Sequence, residues 1–157
     1  MSRAVTDSLA NCALGSLGQL GQLIDALPDS LWSKTAGAWP VWQHVVHAAW
    51  ACDFFSQAPY VPAPASLSQD VIQLKAVESK TPDKAEIKKF VESVTEKLKG
   101  FFASLDDSKL SLPNEPLAKI GLKWDLAQTL SSISSHCTYH LGYGDALLRS
   151  EGLGGVF

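Results

Sequence analysis

All four histidines of the chain lie in two short segments, with His44 and His47 in one and His136 and His140 in the other. On an α-helix, a spacing of four residues places two side chains about 40° apart around the axis and one turn apart along it. His136 and His140 can therefore reach one metal ion from the same helix. Two imidazoles do not complete a metal site, so a third ligand must come from another helix, and the first segment offers candidates.

The helical positions of the histidines favour an inward orientation for three of them. His136 and His140 share an apolar stripe with Ile133, and His47 lies on the apolar side of its own helix. Buried, hydrogen-bonded core histidines are the alternative interpretation, but an apolar stripe offers few polar partners to three of them. We therefore predict a metal site. His44 lies off the apolar line and is interpreted as a support for a ligand or as a surface group.

The composition indicates one globular domain spanning residues 1–157. The hydrophobic fraction is 46% and the charged fraction 18%, and the net charge of −3 comes from acidic and basic residues that are mixed along the chain. This pattern argues against a nucleic-acid-binding surface. No apolar run is long enough for a membrane span or a signal peptide, and three cysteines without a CxxC pair suit a reducing compartment. We expect a cytoplasmic protein without membrane contact.

Helical periodicity predicts an all-α fold with four long helices. Apolar spacing, prolines and capping residues place them roughly over residues 4–26, 40–57, 81–105 and 124–150. A crossover of about twenty residues, with a short helix near residues 69–78, joins the second helix to the third. Such a long connection favours a four-helix bundle in which these two helices run parallel. No segment predicts a strong strand.

The first helix contains three regularly spaced glycines, Gly15, Gly18 and Gly21. A phosphate-binding loop is the functional alternative, but no strand precedes the glycines and no Gly-Lys-Ser/Thr follows them. We interpret them as a surface that a neighbouring helix or a second subunit approaches closely.

Two segments, WQHVVHAAW (residues 42–50) and HCTYHLGYGDALLRSEG (residues 136–152), resemble the DinB-like superfamily of metal-dependent enzymes. The resemblance extends over the chain in helix order. It implies a four-helix bundle of up-down-down-up topology, often homodimeric, with His47, His136 and His140 as ligands of a divalent metal. Many members carry a further histidine one turn before the pair, where this chain has Ser132.

Three imidazoles leave at least one coordination position open, which implies chemistry or ligand binding. Zn²⁺ suits three imidazoles best, and Ni²⁺, Fe²⁺ and Mn²⁺ are compatible. The resemblance also implies a thiol S-transferase acting on small molecules, since characterised relatives use bacillithiol, mycothiol or glutathione. No general base is visible, so no catalytic residue is predicted. The alternatives are a non-catalytic, dimeric metal- or ligand-binding bundle in a stress response and a metal-free bundle with an internal polar site.

Three aromatic residues, Trp50, Phe54 and Tyr143, flank the predicted site and are interpreted as substrate-binding residues, although aromatic residues at helical spacing are often simply core. Cys137 adjoins a predicted ligand but points away from it, so we interpret it as a core thiol. Asp53 and Asp145 could orient imidazoles by accepting hydrogen bonds from them. Their helical angles, however, set both well off the lines of the predicted ligands.

Overall fold

The computed structural model describes residues 2–78 and 80–157. Its elements in chain order are α1 (Ala4–Ala26), α2 (Asp29–Trp32), β1 (Thr35–Ala36), β2 (Trp39–Pro40), α3 (Val41–Phe55), α4 (Gln69–Ile72), α5 (Lys84–Ala103), a 3-10 helix (Asp107–Lys109), α6 (Glu115–Ala118) and α7 (Leu126–Ser150). The four long helices α1, α3, α5 and α7 pack together and confirm the predicted all-α four-helix bundle. Within the described residues, no helix combines the length and the apolar character that crossing a membrane requires.

Contacts between the long helices give their directions. The informative pairs are His44–His140 and Cys52–Ile133 between α3 and α7, Ser16–Thr138 and Leu23–Gly144 between α1 and α7, and Arg3–Phe102 and Asp25–Lys88 between α1 and α5. Helix α7 is therefore parallel to α1 and antiparallel to α3, whereas α5 is antiparallel to α1. The helices run up, down, down and up, so the long crossover joins the parallel pair α3 and α5.

Helix α7 carries two of the histidines, and both of its ends are closed by hydrogen bonds. Asp125 and Gln128 form a capping box at the first turn. At the other end Gly152 has a φ of +74°, and its N–H donates to the carbonyl of Arg149. Such a left-handed glycine ends a helix without the steric penalty that a Cβ imposes. The length of α7 is thus fixed locally, on both sides of His136 and His140.

Three local predictions need correction. Helix α5 begins at Lys84 and not near Thr81, because the carboxylate of Asp83 accepts a hydrogen bond from the N–H of Ala85 and caps the helix. Helix α4 stops at Ile72 and does not reach residue 78, since Leu74 adopts a positive φ of 57°. The chain also forms an antiparallel hairpin from β1 and β2, whose two-residue strands are too short for an alternating pattern.

The glycines of α1 are not packed against a neighbouring helix of the same chain. A Cβ added at Gly15, Gly18 or Gly21 would meet nothing within 4 Å. Close approach occurs elsewhere, at Gly144 of α7, where an added Cβ would lie 2.3 Å from Cδ2 of the fully buried Leu23. The intramolecular interpretation of the α1 glycines is therefore wrong, and packing against a second subunit stays a prediction.

We expect Gly144→Ala to lower the free energy of unfolding by about 1–3 kcal/mol, because a methyl group at this position overpacks the contact between α1 and α7. Gly100→Ala is the matched control, since Gly100 lies in α5 with nothing within 4 Å of an added Cβ. That substitution should stabilise the protein by about 0.5–1 kcal/mol, through helix propensity. Urea unfolding of both variants measures the difference, and equal effects would contradict the close packing.

Candidate metal centre

Helices α3 and α7 bring three of the four histidines together in the interior of the bundle. His47 comes from α3, and His136 and His140 come from successive turns of α7. One ring nitrogen from each of the three lies within 4.8 Å of the others. Over residues 2–78 and 80–157, no cysteine or carboxylate joins this group. The antiparallel packing of α3 against α7 thus brings together three histidines that could hold a metal ion, and these are the three predicted to point inward.

The separation of the nitrogens suits a single ion. Nε2 of His47 and Nε2 of His136 are 3.2 Å apart. Two nitrogens that bind one tetrahedral Zn²⁺ at about 2.0–2.1 Å are separated by roughly 3.3–3.4 Å. A metal ion therefore fits between these two atoms with little movement of either side chain.

The ring of His47 is oriented by the crossover between α3 and α5. Its Nδ1 lies 2.8 Å from the carbonyl oxygen of Ile72, at the end of α4. A carbonyl oxygen only accepts hydrogen bonds, so Nδ1 carries the proton and donates it. Nε2, the atom that faces His136, is therefore unprotonated when the ring is neutral. A backbone carbonyl is a common partner of a metal-binding histidine.

His44 is buried beside the ligand group and is not part of it. Its exposed fraction is 2%, which excludes the surface interpretation. Its Nε2 lies 2.7 Å from the carbonyl oxygen of Ala36 in β1, and its Nδ1 lies 3.0 Å from Nδ1 of His140. His44 thus bridges the hairpin and a predicted ligand.

Burial and mutual repulsion keep the imidazoles neutral. Burial, followed by repulsion from the other three histidines, lowers the pKa of His140 to about 3. Burial and repulsion from His47 lower the pKa of His136 to about 4. Burial also lowers the pKa of His47 and of His44, against the opposing effect of their hydrogen bonds to backbone carbonyls. At neutral pH the site therefore presents unprotonated nitrogens, the form of histidine that binds a metal.

The three aromatic residues proposed for substrate binding lie at two ends of the histidine group. Trp50 packs near His47, with 5.8 Å between ring centroids, and stacks on Phe54. Both line a cavity of about 480 Å³, which the crossover residues Tyr60 and Val61 help to close. Tyr143 lies at the other end, where its ring stacks on His44 at a centroid distance of 4.3 Å.

The carbonyl groups of Ala36 and Ile72 are the site components that the sequence analysis missed. Backbone carbonyls occur at every position, so no residue type marks them. The two carboxylates considered as acceptors for the imidazoles form ion pairs instead. Asp53 pairs with Lys97, and Asp145 pairs with Arg149.

The residue next to a predicted ligand, Cys137, is fully buried and lies outside the ligand group. Both features agree with its interpretation as a core thiol.

We expect the protein to bind about one divalent ion per chain, with affinity strongly reduced in His47→Ala, His136→Ala and His140→Ala. Cys137→Ala is the matched control, because it alters a buried residue of α7 outside the ligand group. Elemental analysis and isothermal titration with Zn²⁺ measure both effects. Retention of the ion in His140→Ala, or its loss in Cys137→Ala, would contradict this ligand set.

The same titration has an expected dependence on pH. Protons compete with a metal for imidazole nitrogens once the pH falls below the pKa of the ring. Since the histidine pKa values lie below the ordinary 6.5, and that of His136 at about 4, affinity should start to fall only below pH 6.5 and should fall steeply once the pH drops below about 4.

Comparison with known proteins agrees with the four-helix fold. No curated protein matches the chain significantly. The sequence profile of the DinB superfamily matches residues 16–143, which include all four histidines, about the second half of α1 and the whole of α3 and α5. The match covers most of the chain, and the protein belongs to the DinB superfamily.

Proposed function

We propose that the protein is a divalent-metal-dependent enzyme that transfers a low-molecular-weight thiol to a small electrophile. The observation that carries the proposal is the group of three neutral imidazoles at the α3–α7 interface, with no further cysteine or carboxylate ligand among the described residues. Structural zinc sites usually close with four protein ligands, whereas catalytic sites keep one position open. Three histidines alone therefore favour a site that takes up an exogenous ligand.

The histidines are suited to hold an ion that remains accessible. His47 and His136 are half-buried, whereas His140 is buried, so two of the three residues retain contact with solvent. An ion bound here, with Zn²⁺ the best match to imidazole ligands, lowers the pKa of a thiol or a water molecule beside it. The thiol proton passes to solvent, since the surrounding histidines are neutral and serve as ligands or their supports.

The cavity beside Trp50 and Phe54 is the proposed binding site for the electrophile. Its volume of about 480 Å³ lies in the range of small-molecule sites. The stacked indole and phenyl rings offer an apolar surface, and Gln69 and Gln73 add polar groups on the crossover side. Trp50 lines the cavity and also packs near His47, so one aromatic ring separates a substrate held there from the proposed metal ligands.

Transfer activity is tested with glutathione, bacillithiol and mycothiol against monochlorobimane and chlorodinitrobenzene. In each reaction a sulfur–carbon bond forms, chloride leaves and the thiol proton goes to solvent. The metal-loaded protein should accelerate at least one pair, whereas the metal-free protein and His140→Ala should not. Trp50→Ala should weaken binding of the electrophile while it leaves the metal content unchanged, because Trp50 is not a ligand.

The alternatives give different results in the same experiment. Metal binding without turnover of any pair favours the non-catalytic metal- or ligand-binding bundle, and absence of metal binding favours a metal-free bundle with an internal polar site. Equal rates in the metal-loaded protein, the metal-free protein and His140→Ala would rule out metal-dependent transfer.

We also propose that the protein forms a homodimer through α1 and α7. The exposed side of α1 carries Gly15 and Gly18, where an added Cβ would meet nothing within 4 Å among the described residues. Beside it, a groove of about 530 Å³ between the two helices is lined by Leu9, Leu130 and the exposed Tyr139. A twofold contact would place the same surface of a second copy against these small and apolar residues.

The dimer is tested with Gly18→Arg. The side chain has room in the single chain, so the fold should persist, but a long cation on the proposed contact surface should yield a monomer. Gly100→Arg, on α5 and equally open, is the control and should leave the dimer intact. Analytical ultracentrifugation decides the matter, and a wild-type monomer at micromolar concentration would refute the proposal.

A further inference from the structure

We propose that His44 is a positioning residue that holds His140 in the tautomer able to bind a metal. The proposal rests on the metal site proposed above and is independent of the transfer reaction. It concerns three groups in a line, the carbonyl of Ala36, the ring of His44 and the ring of His140.

The first link fixes the tautomer of His44. Its Nε2 lies 2.7 Å from the carbonyl oxygen of Ala36. The carbonyl oxygen has no proton to donate, so Nε2 of His44 must carry one. In a neutral ring the other nitrogen, Nδ1, is then an acceptor.

The second link fixes the tautomer of His140. The two Nδ1 atoms are 3.0 Å apart, within hydrogen-bonding distance. Because Nδ1 of His44 accepts, Nδ1 of His140 must donate, and Nε2 of His140 is left with a free lone pair. In the opposite tautomer Nε2 would carry the proton and could not bind a metal. His44 thus does for His140 what the carbonyl of Ile72 does for His47.

Packing holds the ring of His44 in place for this task. Tyr143 stacks on it with an angle of 12° between the ring planes. Gly37, in the turn of the hairpin, lies against Tyr143, and a Cβ at Gly37 would come within 2.5 Å of Cε1 of that ring. Gly37 also has a φ of +70°, which favours glycine. The hairpin therefore supplies the carbonyl that accepts from His44, and it also supplies a surface for the ring of Tyr143, which stacks on His44.

The tautomers are measured directly by long-range ¹H–¹⁵N NMR on the metal-free protein. We expect protons on Nε2 of His44 and on Nδ1 of His140. His44→Leu removes the acceptor and should release His140 to the other tautomer, with a loss of about 10- to 100-fold in Zn²⁺ affinity. His44→Gln is the conservative variant, because its amide can donate to Ala36 and accept from His140. It should restore the tautomer of His140 and most of the affinity.

Tyr143→Phe is the matched control, because it keeps a ring stacked on His44. It should change neither the tautomer of His140 nor the Zn²⁺ affinity. Protonated Nε2 on His140 in the wild type would overturn the proposal, as would equal Zn²⁺ affinity in His44→Leu and the wild type. If His44→Leu does not fold, the wild-type tautomers and His44→Gln still decide the question. If the wild type binds no Zn²⁺, the proposed function fails, and the tautomers still report whether His44 orients His140.

Discussion

The structure depends on four imidazole rings packed between α3 and α7, of which His44 and His140 are buried and His47 and His136 half-buried. A buried polar group without a hydrogen bond costs free energy, so each ring must satisfy a nitrogen within the protein. A metal site adds the opposite requirement, that each ligand keep one nitrogen free. His47 meets both conditions through the carbonyl of Ile72, and His140 meets them through its contact with His44.

The backbone acceptors of these hydrogen bonds, the carbonyls of Ala36 and Ile72, lie outside the four long helices. The interior carbonyls of a helix accept hydrogen bonds from N–H groups of the same helix, so they are poorly placed to accept another from a neighbouring ring. The acceptors come instead from the hairpin before α3 and from the end of the short helix α4 in the crossover. These small elements orient the imidazole rings, and the long helices determine where the rings lie. Burial in the bundle, beside the hydrophobic core, keeps the rings neutral.

The sequence could predict the parts of this arrangement that depend on periodicity. His136 and His140 are one helical turn apart, and the apolar stripes of the long helices determine which side faces the core. The hairpin could not be predicted, because two residues per strand carry no alternation. The acceptors Ala36 and Ile72 could not be predicted either, since their side chains have no part in the hydrogen bonds. His44 could be predicted in part. Its helical angle set it apart from the predicted ligands, but its burial could not be predicted because it depends on contact with the hairpin.

The crossover between α3 and α5 contacts both the proposed substrate cavity and the histidine group. It provides the carbonyl of Ile72, which orients His47, and it also provides Tyr60, Val61 and Gln73 around the cavity. The segment has no long helix to hold it, and Gln43 of α3 binds it by donating to the carbonyls of Val71 and Ala76. A ligand that displaces the cavity wall therefore acts on the same segment that fixes the free nitrogen of His47. For the proposed transfer, changes in the crossover would alter which molecules reach the histidines while the three histidines stay constant, so specificity would reside in the connection and not in the histidine motif.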